Sequence, residues 1–261
     1  MVNLYYDAYM KRDSTERLYL LDEIRGFLIL GVVLSHTLFD MYHIFNFDMP
    51  WVDSVLVNVI SDIGAIAFIM ISGMVSKYSK DNISRGLKLM AVSLTLTLIT
   101  DIVAPEFVVY VGILHHLAFM IILLDLIKPL LNKIPKVLAI VVNILIAIFT
   151  WNIYERELGF FGIVLYKIPY DVMNGGLSYL LGIRIQNITL SADYYPLLPW
   201  MCFFFIGFYL ISYIEKEPLR TLFSKKRCPF LVKAGQASLW IYLIHQPLVL
   251  GILYLVSLLR K

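Results

Sequence analysis

The chain has 261 residues, of which 60% are hydrophobic and only 16% are charged. Soluble domains carry about 25% charged residues, so this composition excludes an ordinary soluble protein and indicates several membrane crossings. A formal net charge of +3 without a polybasic tail argues against a nucleic-acid partner. The two cysteines, Cys202 and Cys228, lack metal-ligand spacing, so we expect neither a disulfide framework nor a metal site.

The first 17 residues are polar and charged, and they lack the apolar core of a removable signal peptide. We therefore predict that residues 1–17 form a cytoplasmic amino-terminal segment. The first membrane span after it is predicted to act as an uncleaved anchor.

Seven apolar windows are long enough to cross a bilayer. Lys and Arg cluster before the first window and after the second, fourth and sixth, whereas the loops after the first and third windows contain neither. The positive-inside rule then places the amino terminus and the basic loops in the cytoplasm. The predicted fold is an all-α, polytopic transmembrane helical bundle in the cell membrane, with residues 1–261 as one domain. Its windows are residues 27–42, 54–75, 87–104, 107–127, 136–152, 197–214 and 237–257.

Residues 158–185 are apolar but are interrupted by Lys167, Pro169 and Asp171. A single crossing here would place the richest basic loop outside the cell, so we predict either no crossing or two. Two crossings would form a broken or re-entrant pair, which is tolerated only where protein buries it or where it lines a cavity.

One face of the first window carries a polar stripe. On a helix, Arg25, His36, Asp40 and His43 fall within about 60° of one another, and Arg25 and His36 are about 16 Å apart along the axis. His36 and Asp40 are neighbours at i, i+4. Ionisable groups within spans are costly and often mark a functional path, which favours a functional role for His36 over a satisfied core histidine. For Arg25, the general excess of Lys and Arg on the cytoplasmic side of membrane proteins is an alternative to a functional role.

Other windows bring further polar groups into the membrane. Tyr242 and His245 share a helical face, where they form either a ligand contact or a hydrogen-bond network between helices. Asp193, before the sixth window, either contacts an external substrate or caps a helix. The remaining candidates within the windows are Asp62, His115 and His116.

The segment RLYLLDEIRGFLILGVVLSHTLFD resembles the opening of the heparan-alpha-glucosaminide N-acetyltransferase catalytic family, especially its small prokaryotic members, within the transmembrane acyltransferase superfamily. VGILHHLAF, SADYYPLLPW and SLWIYLIHQPL are similar to later blocks of that family, in the same order. The resemblance extends from about residue 17 to residue 250. An arginine followed by ten residues and a histidine recurs in the superfamily, and Arg25 and His36 have this spacing.

The resemblance implies transfer of an acyl group, usually acetyl, from cytoplasmic acyl-coenzyme A to an amine or hydroxyl of an extracytoplasmic sugar or glycan. His36 is then the expected general base, with Asp40 orienting its imidazole and His115 polarising the thioester or binding the acceptor. A covalent acyl-histidine intermediate is equally compatible with the sequence. We expect acetyl-coenzyme A as the donor, with contacts from Arg25, Tyr242 and His245. Acceptor contacts are expected from Asp62, His116 and Asp193.

Two other classes of function remain open at this level. A proton-coupled membrane carrier could use the His and Asp residues as a relay, and a noncatalytic membrane scaffold would need none of them. The sequence also leaves open whether the chain forms a homodimer.

Overall fold

The computed structural model describes residues 17–185 and 193–259. Residues 1–16, most of the predicted cytoplasmic segment, lie outside the described part. Helices account for most of the described chain, which confirms the predicted helical character. The α-helices are α1 (Tyr19–His43), α2 (Val55–Ser76), α3 (Asn82–Val103), α4 (Ile113–Leu131), α5 (Lys136–Phe149), α6 (Gly176–Leu181), α7 (Trp200–Ile214), α8 (Leu219–Ser224), α9 (Pro229–Gln236) and α10 (Ser238–Leu259). The strands are β1 (Glu157–Phe160) and β2 (Ile163–Lys167).

Five helices in the described residues are long and apolar enough to cross a membrane: α1, α2, α3, α4 and α10. The windows predicted at 136–152 and 197–214 form α5 and α7, which have only 14 and 15 residues. At 1.5 Å per residue these helices rise about 21 and 23 Å, less than the roughly 30 Å of a typical hydrocarbon layer. The structure therefore supports five candidate spans, and the prediction of seven is not confirmed.

For residues 158–185 the sequence left open no crossing or two crossings, and the structure shows no broken or re-entrant pair of helices there. Strands β1 and β2 pair antiparallel across a turn at Phe161 and Gly162, and both turn residues have positive φ angles. Such angles suit a tight hairpin turn, and the sequence IVLYK of β2 is rich in β-branched and aromatic residues that favour strands. After the hairpin comes only the six-residue helix α6. The all-α prediction is therefore wrong for this segment.

The chain divides into two compact units. Unit 1 contains the described residues of Met1–Phe68 and Tyr213–Lys261, and unit 2 contains Ile69–Ser212. The single-domain organisation stays a prediction.

In unit 1, helix α1 packs against α8, α9 and α10. Helices α1 and α9 touch through their backbones, because a Cβ atom on Gly26 would overlap the carbonyl of Leu231 and one on Gly235 would overlap the carbonyl of Asp22. Small residues allow this close approach of helices in membranes. The carboxylate of Glu23 also accepts hydrogen bonds from the backbone N–H groups of Arg227 and Cys228, at 2.6 and 2.8 Å.

In unit 2, α3 packs on α4, and Leu117, Met120, Ile121 and Leu124 of α4 are buried. Helix α3 begins where the Asp81 side chain accepts a hydrogen bond from the Ser84 N–H, an ordinary N-terminal cap.

A buried arginine holds the chain around the hairpin in unit 2. Arg156 is only 2% exposed, and its guanidinium donates to the carbonyl oxygens of Ile168, Pro169, Met173 and Arg184 at 2.5 to 2.8 Å. Burial of a charge is costly unless it is hydrogen-bonded, and here one side chain satisfies four loop carbonyls. The guanidinium therefore fixes the path of residues 156–184.

Candidate active site

A hydrogen-bonded chain of side chains lies between α1 and α10 in unit 1. The Nδ1 atom of His36 lies 3.2 Å from Oε1 of Gln246. The Gln246 amide nitrogen donates to both carboxylate oxygens of Asp40, at 3.1 and 3.0 Å. Asp40 is only 1% exposed, whereas His36 is half-buried. The amide of Gln246 thus bridges the two residues that the sequence predicted to be neighbours.

The bridge fixes the direction of the hydrogen bonds. An ionised carboxylate only accepts hydrogen bonds, so the NH₂ group of Gln246 faces Asp40 and its carbonyl oxygen faces His36. That oxygen also only accepts, so Nδ1 of His36 carries the proton. In the neutral imidazole, Nε2 of His36 then holds the free lone pair that a base or nucleophile needs.

His245 packs beside this chain of hydrogen bonds. Its ring meets the ring of His36 edge to face, with centroids 5.0 Å apart. The Nδ1 atom of His245 lies 2.6 Å from the carbonyl oxygen of Tyr242, and since that oxygen only accepts, Nδ1 donates. The expected contact face of Tyr242 and His245 therefore adjoins His36.

Arg25 and Asp62 also belong to unit 1. Arg25 lies next to Gly26, at the crossing of α1 and α9, and is about 16 Å from His36 along the helix axis. Asp62 lies on α2 and makes no hydrogen bond or ion pair within residues 17–185 and 193–259. The hydroxyl of its neighbour Ser61 lies 3.5 Å from that of Ser35, the residue before His36.

The remaining candidates surround the start of α4 in unit 2. Asp193 is 8% exposed and accepts a hydrogen bond from the Ile113 N–H at 3.0 Å, so its carboxylate caps α4. The sequence left capping and substrate contact open, and this bond supports a capping role. Asp193 also interacts electrostatically with His115.

His115 is tied to α3 by its ring. The Thr97 hydroxyl donates to the Val109 carbonyl at 2.6 Å, and Nε2 of His115 lies 3.1 Å from the same hydroxyl oxygen, to which it donates. His116 is 2% exposed and lies beside the backbone of Tyr195 and Pro196. The two adjacent histidines thus have different surroundings, as their angular separation of about 100° predicts.

The candidates fall into two groups, one within each unit. The structure brings His36, Asp40 and His245 together in unit 1, and it brings His115, His116 and Asp193 together in unit 2. Sequence reasoning missed Gln246, although that residue stands between His245 and Pro247 in the segment SLWIYLIHQPL. Within the described residues, no group of three or more His, Cys, Asp or Glu side chains could hold a metal ion.

Comparison with known proteins identifies the family. The sequence model described as heparan-alpha-glucosaminide N-acetyltransferase, catalytic, matches residues 17–247, a range that contains all nine candidate residues. No curated protein and no solved structure matches the chain. The match confirms the resemblance found in the sequence and supports a membrane-bound transferase. The chain belongs to the heparan-alpha-glucosaminide N-acetyltransferase catalytic family.

Proposed function

We propose that this protein transfers an acetyl group from cytoplasmic acetyl-coenzyme A to an amine or hydroxyl of an extracytoplasmic sugar or glycan. The observation that carries the proposal is the hydrogen-bonded series His36–Gln246–Asp40, which joins the candidate membrane spans α1 and α10 of an acetyltransferase family member. The amino terminus is cytoplasmic in this proposal, in line with the distribution of Lys and Arg.

In this mechanism His36 is the general base. Its Nε2 takes the proton of the acceptor N–H or O–H group as that atom attacks the thioester carbonyl. Collapse of the tetrahedral intermediate breaks the C–S bond, and the imidazolium returns the proton to the departing thiolate. A two-step route in which Nε2 itself is acylated uses the same lone pair, and it would reveal itself by ping-pong kinetics and a labelled protein.

The basic residues near the amino-terminal end of α1 suit an anionic donor. Glu23, two residues before Arg25 on α1, accepts hydrogen bonds from the backbone N–H groups of Arg227 and Cys228. These hydrogen bonds place the basic residues 225–227 beside the start of α1. Arginine and lysine bind phosphate groups well, and the pantetheine arm of coenzyme A extends over roughly half a bilayer. We therefore assign Arg25 to the donor phosphates, with Tyr242 and His245 along the path of the donor.

The acceptor contacts are assigned to the remaining candidates. Asp62 carries a carboxylate without a partner in the described residues, which suits a hydroxyl-rich or amine-bearing acceptor. His115 is assigned to the acceptor rather than to the thioester carbonyl, because its neutral ring already donates its Nε2–H to Thr97 and has no second N–H to polarise a carbonyl. His116 and Asp193 are the other acceptor candidates around the start of α4.

The test is thioester consumption in proteoliposomes with acetyl-coenzyme A and a panel of glucosamine-containing and neutral glycans. A positioned general base contributes about 10²- to 10⁴-fold, so H36A should lose turnover by that factor while it keeps donor binding. H43A is the matched control, because His43 is on the same helix but pairs with Asp53 at 2.9 Å, outside the chain of hydrogen bonds. Wild-type turnover in H36A would reject the proposed role.

The same vesicles separate the enzyme from a carrier. A proton-coupled carrier would move protons or solute across the membrane without consuming the thioester. Flux without thioester consumption would therefore replace this proposal with the carrier.

A further inference from the structure

The β1–β2 hairpin exposes an apolar tip. Phe161, in the turn, is 87% exposed, and in β2 Ile163 is 67% exposed and Leu165 is 64% exposed. Val164 and Tyr166 are also exposed, and successive strand residues point to opposite faces. Both faces of β2 therefore present apolar side chains, so a flat protein partner on one face would leave the other uncovered.

Polarity changes along the length of the hairpin. At its open end, Lys167 and Glu157 form an ion pair at 2.9 Å, and Arg156 is anchored to the neighbouring loop carbonyls. No charged residue lies between Glu157 and Lys167 in the sequence. The hairpin thus has a charged, fixed base and an uncharged, apolar tip.

The hairpin lies against the last turn of α5, next to its exposed tip. The rings of Phe149 and Phe160 have centroids 5.2 Å apart, and a cavity of about 270 Å³ is lined by Ile148 and Trp151 on one side and by the hairpin on the other. Helix α5 itself exposes apolar side chains along its length, including Val141 and Leu145. The apolar surface of α5 therefore continues onto the hairpin.

From these features we propose that the hairpin inserts its tip into the lipid bilayer, at the membrane face where α5 ends. Lipid surrounds an inserted element, so it covers both faces of β2, and the short α5 gains apolar length from the adjoining tip. The outer edges of a two-stranded sheet leave backbone groups unpaired, which limits insertion to the interfacial depth where water and headgroups reach them. Trp151 and Tyr166 suit that depth.

The proposal is tested with the full-length protein in liposomes by a polarity-sensitive fluorophore at the tip. Phe161→Cys is labelled in a Cys228→Ser background, where Cys202 stays unlabelled because it is fully buried. Asp171→Cys is the matched control, an exposed position after the charged base. Ile163→Cys supplies a second tip position, and size-exclusion chromatography verifies that each variant is folded.

We expect blue-shifted emission at the tip and quenching by nitroxides on the lipid chains, with neither effect at position 171. Quenching of the tip label by aqueous iodide to the same degree as position 171 would overturn the proposal. A tip label that is shielded from both quenchers would also overturn it, because a protein surface would then cover the tip. The experiment needs no substrate, so its outcome is independent of the proposed acetyl transfer.

Discussion

Replacing Gln246 with leucine removes the amide that joins Asp40 to His36. The change keeps the size of the side chain but deletes the hydrogen bond at Nδ1 of His36 and both hydrogen bonds to the buried carboxylate. The imidazole then no longer has a group that holds the proton on Nδ1, and the fraction of rings with a free lone pair at Nε2 falls.

The expected loss of kcat follows from the hydrogen bonds between Gln246 and the carboxylate of Asp40. Hydrogen bonds to charged groups contribute about 1.5–3 kcal/mol. If that free energy is expressed in the transition state, Q246L should lower kcat by about 10- to 100-fold, since each 1.36 kcal/mol is a factor of ten. The KM for the donor should change little, because the phosphate contacts assigned to Arg25 lie about 16 Å away along α1.

A double-mutant cycle with Asp40→Asn provides the decisive assay. An asparagine at position 40 can donate as well as accept, so it no longer dictates the orientation of the Gln246 amide. If Gln246 transmits the effect of Asp40, the loss of kcat in the double variant should be close to that of either single variant. Losses that multiply in the double variant would refute this reasoning. Q236L, at the exposed end of α9, serves as the control for a glutamine-to-leucine change.

Two further predictions concern arginines with different roles. Arg25→Ala should raise the KM for acetyl-coenzyme A about tenfold with a smaller change in kcat, whereas Arg184→Ala, on a unit 2 loop, should leave the KM unchanged; an unaltered KM in Arg25→Ala would remove it from the donor site. Arg156→Met should lower the free energy of unfolding by about 3–5 kcal/mol, since four carbonyls lose a charged donor. A melting temperature equal to the wild-type value would show that these hydrogen bonds add nothing to stability.

Hydropathy predicts the long spans because a bilayer requires an uninterrupted apolar helix, and α1 to α4 and α10 meet this requirement. It fails for residues 158–185, because apolar β-branched residues such as Ile163 and Val164 raise hydropathy in a strand as much as in a helix. The turn at Phe161 and Gly162 carried the missing signal, since a glycine between two short apolar runs favours a hairpin.

In the candidate site, residues related by local spacing could be predicted from the sequence, whereas tertiary contacts could not. His36 and Asp40 could be found from sequence, because ionisable residues stand out in an apolar helix and their spacing is local. Gln246 could not, because a neutral amide draws no attention by charge and its contacts join residues more than 200 positions apart. One of the two sequence interpretations of Asp193 was a cap for a helix that follows it, but its carboxylate caps α4, whose first residue precedes it by 80 positions.

The shortness of α5 and α7 has a consequence for the surrounding lipid. A helix that rises only about 21 or 23 Å could cross a hydrocarbon layer of roughly 30 Å only where that layer thins around it. In the proposed transfer across the membrane, such thinning would shorten the distance between the cytoplasmic donor and the extracytoplasmic acceptor. Under the proposed function, the turnover of this protein in proteoliposomes would then depend on the acyl-chain length of the lipid.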